Sequence, residues 1–194
     1  FFYSCSKETE NIKLIKETDQ NKEMISAYEK GMELFENGDY FAASKKFLEA
    51  EILLPQSMWA PKSVLMASYS YYMHNYYVEA LSNLERFIKT YPTDKNLVYA
   101  HYLIAMCYYE TIEGEKRDSG PLLKAKEKFN YVVSNYPNTD FALDSKFKLD
   151  LIEDILAAKE MYLGRYYFDK KKWIPAINRF REIIDNYDTT IYAE

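Results

Sequence analysis

One ladder of residues recurs along this chain, and it constrains the fold more than any other feature. It reads Gly31, Leu34, Gly38-Asp39-Tyr40, Ala43, Phe47, Ala50, Pro55. Ser68, Tyr71, Tyr77, Ala80, Leu84, Phe87, Pro92 has the same internal offsets, and so does Gly164, Tyr167, Trp173, Ala176, Phe180, Ile183, Asp188. A further copy, Ala105, Tyr108, Ala125, Phe129, Val132, Pro137, fits when about eight residues are inserted in its turn. The spacing is that of two antiparallel helices. A small residue on the first helix (Gly31, Ser68, Ala105, Gly164) and another on the second (Ala43, Ala80, Ala125, Ala176) let the backbones approach. Large residues (Tyr40, Phe47, Tyr77, Leu84, Phe129, Trp173, Phe180) then fill the space between helices and between units. Pro55, Pro92 and Pro137 cannot continue a helix and mark where the second one ends.

Helix pairs of roughly 34 residues closed by a proline form the tetratricopeptide pattern. The fold predicted is therefore all-α: a superhelical solenoid of about four helix pairs, which works as a binding surface. The pairs run from about Met24 to Pro55, Pro61 to Pro92, Val98 to Pro137 and Leu156 to Asp188. Their turns are Asn37-Gly38-Asp39 (Gly38 suits a left-handed C-cap), His74-Asn75, an expanded charged excursion over 113–121, and Asp169-Lys170-Lys171-Lys172. Residues 140–155 carry Phe141, Phe147, Leu149, Leu151 and Ile152 without a break. They are expected to run on into Leu156-Ala157-Ala158 as one long helix joining units three and four. The division expected is 1–20 as signal remnant and tether, 21–137 as repeats one to three, and 138–194 as the long helix and repeat four. The stretch from Asp188 to Glu194 reads as the start of a further helix.

Composition narrows the function. A net charge of −5 with interspersed signs argues against nucleic acid as a partner. No run of apolar residues is long enough to span a membrane as a helix. Cys107, within Ile104-Ala105-Met106-Cys107-Tyr108, reads as a small buried apolar residue. His74 reads as a solvated turn residue and His101 as a filler between helices. Neither has metal-ligand spacing, and no nucleophile elbow, phosphate loop or paired-cysteine motif occurs. The expectation is no catalytic residue, no cofactor and no metal.

Twenty tyrosines exceed what repeat packing needs, and tyrosine suits contact surfaces. The concave face of such a solenoid comes from the first helix of each pair. Spacing places Tyr28, Met32 and Phe35 there from unit one, Leu65, Tyr69, Tyr72 and Met73 from unit two, and Tyr99, Tyr102, Met106 and Tyr109 from unit three. Such a stripe serves either as core or as a groove for apolar peptide. Because the ladder already accounts for the core, a groove is expected. Arg165 is placed either to pair with Asp169 or to reach a partner's carboxylate. Arg179 and Arg181 are either an ordinary charged face or partner contacts.

Some of the phrasing is not generic to tetratricopeptides. The string Leu156-Ala157-Ala158-Lys159-Glu160-Met161-Tyr162-Leu163-Gly164-Arg165-Tyr166-Tyr167, with Trp173 and Ala176-Ile177-Asn178-Arg179-Phe180, resembles the BamD family of outer-membrane β-barrel assembly lipoproteins. Arg86-Phe87-Ile88 with Tyr91-Pro92, and Tyr136-Pro137-Asn138-Thr139 with Leu149-Asp150-Leu151, match the same family, so that the resemblance covers about Ser26 to Asp188. Cys5, after Phe1-Phe2-Tyr3-Ser4, is similar to the acylated cysteine of a lipoprotein signal, although Phe2 stands where leucine is usual. The resemblance implies a non-catalytic scaffold at the periplasmic face of the outer membrane, held there by lipid on Cys5. It implies as partners the periplasmic domains of the barrel-forming subunit BamA, bound mainly by C-terminal repeats, other lipoproteins of the assembly complex, and unfolded outer-membrane proteins, bound by N-terminal repeats. Family members carry five repeats, and four are visible here. The ladder alone is also compatible with another periplasmic tetratricopeptide adaptor in cell division or wall synthesis, or with a cytosolic chaperone adaptor.

Overall fold

The computed structural model describes residues 17–111 and 119–193. Eight helices fill them: α1 (Glu17–Glu36), α2 (Tyr40–Leu53), α3 (Ala60–Met73), α4 (Tyr77–Thr90), α5 (Leu97–Glu110), α6 (Gly120–Asn135), α7 (Asp140–Asp169) and α8 (Trp173–Asn186). No strand occurs among the described residues. Each helix packs on the next in sequence, and α5 also touches α3 and α7. First helices thus lie beside first helices, the layering of a solenoid. Cys5, most of the 1–20 tether and the centre of the expanded turn lie outside the described residues. The helix α1 opens at Glu17, inside the stretch expected to be tether.

The ladder does what its residue sizes demand. Ala43, Ala80, Ala105 and Ala125 are wholly buried, as are Phe47, Leu84, Phe87 and Phe129. Each large side chain removed from water in this way contributes about 1.5–3 kcal/mol. A Cβ added at Gly31 would stand 2.8 Å from the Phe47 ring, and one at Gly164 would crowd Cε1 of Phe180 more closely than that. Those two glycines are there because an aromatic ring occupies the space of a side chain. Helices α2, α4 and α6 end two residues before Pro55, Pro92 and Pro137. Gly38 is left-handed at φ 80°, and so are Asn75 (61°) and Lys171 (59°) at the matching place in their own turns. The carboxylate of Asp39 then caps α2 by accepting from the Ala42 N–H at 3.2 Å.

At 30 residues, α7 is the expected long helix, and it includes the first helix of unit four. Thr139 caps its start, the hydroxyl accepting from the Ala142 N–H at 3.2 Å. Its Ile152 and Leu156 join Ala105, Leu122, Ala125 and Phe129 in one core cluster, so that α5, α6 and α7 share an interior. Its last turns pair with α8. Trp173 departs from expectation. Its ladder position predicts a filler between helices and between units, yet it is 53% exposed. Its ring meets Phe168 edge-on at 5.2 Å.

Candidate functional site

Rings contributed by the first helices form a continuous line across four of them. Phe35 of α1 lies 5.5 Å from Tyr69 of α3, and Tyr69 stacks on Tyr72 at 6.2 Å and meets Tyr99 of α5 at 6.5 Å. Tyr99 and Tyr102 both contact Phe141 of α7, at 5.6 and 5.2 Å. Every ring in this line is half-buried. Each is packed on a neighbouring ring and keeps part of its surface in solvent, an arrangement that supports apolar and aromatic contact at low entropic cost.

Two hydroxyls in the line are tied to carboxylates of the next first helix. Tyr72 donates to Glu110 at 3.3 Å, and Tyr102 donates to Asp144 at 2.6 Å. Burial, together with these carboxylates, pushes both phenols well above the ordinary tyrosine range. Burial does the same to Tyr99. The phenols therefore stay neutral donors, and the pairs stitch α3 to α5 and α5 to α7.

The remaining groove positions differ in what they offer. Tyr28 is half-buried, with its ring 5.3 Å from Phe47 and 5.1 Å from Trp59. Met32 packs on the Ala43–Phe47 cluster, and Met106 lies between two core clusters. Leu65 is buried at 6% exposure, Met73 is exposed, and Tyr109 packs edge-on against Phe129 at 6.0 Å under the Lys148 ammonium. Phe141, Asp144 and Lys148 escaped the sequence reading of this face. Their signal was the uninterrupted helical spacing from Asp140, which places α7 in the first-helix layer as well as at the junction.

Arg179 of α8 donates to Glu160 of α7 at 2.9 Å, beside a hollow of about 290 Å³ lined also by Tyr167, Pro175, Asn178 and Glu182. Arg165 and Arg181 are exposed, and neither makes an ion pair among the described residues. Lys159 donates to the Ser119 hydroxyl at the start of α6. The family-like Lys159-Glu160 pair thus ties α7 to α6 on one side and to α8 on the other. Arg86, from another such phrase, bridges α4 to α2 with a two-pronged contact to Glu51 at 2.5 and 2.7 Å. Cys107 is buried, its thiol pushed up to about 12 by burial. His101 fills the α5–α6 contact against Tyr131 at 4.5 Å. Among the described residues no helix is long and apolar enough to cross a membrane, and no side-chain cluster could hold a metal ion.

Comparison with known proteins places this architecture. The first tetratricopeptide domain of Spaghetti (RPAP3), solved with the HSP90 peptide SRMEEVD, superposes with a TM-score of 0.53. That match is at 17% identity over 70% of this chain and 94% of that one, a likeness of fold. Outer membrane protein assembly factor BamD of Caulobacter vibrioides is 39% identical over 166 residues, which are 86% of this chain and 54% of that protein. The factor of the same name from Rickettsia prowazekii is 38% identical over 170 residues, 88% of this chain and 68% of that protein. This chain thus spans about half the length of the first relative and two thirds of the second. The family described as YfiO, outer membrane lipoprotein, matches residues 20–194, and the chain belongs to that family.

Proposed function

We propose that this chain is the repeat scaffold of an outer-membrane β-barrel protein assembly factor, acting without catalysis at the periplasmic face of the outer membrane. Its relatives' name, assembly factor, supports the class. The single observation that carries the mechanism is the aromatic line Phe35–Tyr69–Tyr99–Tyr102–Phe141 across four helices. An unfolded barrel strand alternates apolar and polar side chains, so when extended one of its faces offers a regular row of apolar groups. A row of half-buried rings receives such a face without requiring one sequence. In this reading residues 21–137, with Phe141 at the start of α7 closing the line, hold unfolded outer-membrane protein. The rest of residues 138–194 meets the periplasmic domains of BamA and partner lipoproteins through Arg165, Arg179 and Arg181. Lipid on Cys5 holds the scaffold at the membrane.

A photoreactive amino acid placed at Tyr69 or Tyr102, against the same group at Ile52 or Tyr131 on second helices, tests the reading with an unfolded β-barrel protein. Crosslinks are expected from the first pair. Crosslinks confined to the second pair would refute it. Retention of the chain by immobilised BamA periplasmic domains, weakened by Arg179→Glu, is the companion result.

A further inference from the structure

Four residues that the ladder does not use recur at one place. Phe41, Val78, Leu123 and Ile174 each stand two residues before a ladder alanine, in the first turn of a second helix. All four are exposed, at 42%, 77%, 53% and 75%. In the first three pairs the exposure persists with later helices packed beyond them, so it belongs to the position itself. Second helices all begin at the same edge of the solenoid, where each first helix turns back. That edge therefore carries one exposed apolar side chain per unit. A single such residue needs no explanation, but a row repeated in every unit marks a contact surface.

Rings and lysines accompany the row. At the α3–α4 turn Phe41 lies 6.0 Å from His74 and 5.6 Å from Tyr76, those two lie 4.6 Å apart, and the Lys45 ammonium stands 5.1 Å over Phe41. At the α7–α8 turn Lys170-Lys171-Lys172, the only run of three basic residues in the chain, is flanked by exposed Phe168 and Trp173. None of the three ammoniums makes an ion pair among the described residues. Lys171 takes the left-handed place that Gly38 and Asn75 hold in other turns, so the turn itself gives no reason for a lysine. Aromatic and apolar side chains settle at the boundary of acyl chains and headgroups, and ammoniums meet the phosphates. We propose that this edge rests on an anionic phospholipid surface, the apolar row dipping into it and the lysine run gripping its phosphates. A row repeated at unit spacing suits a surface that is uniform along the solenoid, as lipid is and a folded partner is not. The inference rests on the reading that the scaffold works at a membrane, and adds which edge faces it.

The test uses the full chain, produced without lipid on Cys5, and vesicles of phosphatidylethanolamine with one quarter phosphatidylglycerol. Co-sedimentation should find attachment to these vesicles and much less to phosphatidylcholine alone. Changing Lys170, Lys171 and Lys172 together to glutamine, with helicity checked by circular dichroism, should weaken attachment at least about tenfold, since each lysine near such a surface is worth about fivefold. Val78→Gln/Ile174→Gln should weaken it too. Ile52→Gln/Ile184→Gln should not, because those side chains are similarly exposed but lie towards the opposite ends of second helices. Trp173 reports from this edge and Trp59 from the other. In the Trp59→Phe protein emission should shift to the blue on the vesicles, and in the Trp173→Phe protein it should not. Attachment without a shift of Trp173, or an equal loss from the Ile52/Ile184 change, would overturn the assignment to this edge. No attachment at all, with the crosslinks at Tyr69 and Tyr102 intact, would overturn the lipid contact and leave the scaffold reading standing. Lysine-dependent retention by BamA periplasmic domains, with none by vesicles, would overturn lipid as the occupant in favour of protein.

Discussion

In the first helix pair Phe47 lies against Gly31 with no exposed surface, walled in by Tyr28, Met32 and the neighbouring Ala67. In the last pair Phe180 stands against Gly164 at the same ladder offset, but it is only half-buried. The aromatic pair at the turn behaves likewise. Phe35 and Tyr40 meet edge-on at 5.1 Å and are half-buried, with Tyr69 of the next unit against Phe35. Phe168 and Trp173 meet in the same way at 5.2 Å and are 54% and 53% exposed. The ladder therefore specifies the contact inside a pair, while the burial of its outer positions depends on what packs against the pair from outside. Repeat proteins divide their stability in this manner, into a term for each unit and a term for each interface.

The comparison is broken or upheld most directly by truncating the two rings. Phe47→Ala should cost about 3–5 kcal/mol, the range for a fully enclosed aromatic residue. Phe180→Ala should cost less than about half of that, because solvent already reaches the ring and its surroundings can relax into the gap. Urea unfolding followed by circular dichroism measures both. Equal losses would mean that the pair alone, and not its neighbours, sets the energy.

The cross-helix ion pairs give a smaller contrast of the same kind. Arg86 grips Glu51 with two prongs, and the Glu51 side chain is 8% exposed. Arg179 reaches Glu160 with a single contact, and the Glu160 side chain is 16% exposed. Both arginines are more than a third exposed, which discounts the value of a fully buried pair. Glu51→Gln should destabilise by about 1–2 kcal/mol and Glu160→Gln by roughly half as much or less. A double-mutant cycle with each arginine isolates the coupling. A larger coupling at Glu160 than at Glu51 would reverse the ordering.

Adding a methyl group to the ladder glycines sharpens the point further. An exposed helical glycine gains about 1 kcal/mol on becoming alanine, whereas overpacking a core costs about 1–3 kcal/mol. At Gly31 the new Cβ meets a ring with nowhere to move, so Gly31→Ala should lose about 1–2 kcal/mol. At Gly164 the approach to Phe180 is closer still, yet that ring can swing towards solvent. Gly164→Ala should change stability by less than about 1 kcal/mol. If Gly164→Ala proves the worse of the two, bare distance matters more than the freedom of the neighbour.

What the sequence discloses follows the same boundary between pair and interface. Gly31, Ala43, Phe47, Gly38 and the three prolines are legible because each answers a local requirement: a close approach, a left-handed turn or a helix end. The first-helix tyrosines are legible as a face, since helical spacing alone brings them to one side. The hydroxyl pairing of Tyr72 with Glu110 and of Tyr102 with Asp144 is not, because it spans separate units and depends on how one first helix leans on the next. Glu160 illustrates the same limit. Along its own helix it has no partner at Arg165, five residues on; its partner Arg179 is supplied by the return of α8. Trp173 reads as interior by its ladder position yet is 53% exposed, since a place in the ladder does not fix what stands outside the pair.

The turns supply the smallest and most local version of the comparison. Gly38, Asn75 and Lys171 occupy equivalent positions, and all three are left-handed, at φ 80°, 61° and 59°. Glycine adopts this conformation without penalty and asparagine with a small one, whereas a lysine there carries a Cβ against the carbonyl at about 1–2 kcal/mol. The hydrogen bonds that close the turns are the same. Asp39 donates to the Leu34 carbonyl, Tyr76 to that of Tyr71 and Lys172 to that of Tyr167, each at 2.9 Å. The strain at Lys171 is thus imposed by the helix pair rather than chosen by the residue. Gly38→Ala should lose about 1 kcal/mol, while Lys171→Gly should gain up to about 1 kcal/mol, reduced by the greater freedom of glycine in the unfolded chain. Asn75→Gly should fall between them, close to zero. Thermal unfolding of the three variants checks the order. A loss at Lys171→Gly would mean that the last turn is held by its lysine side chain, and that the two ends of the solenoid differ in their turns as well as in their interfaces.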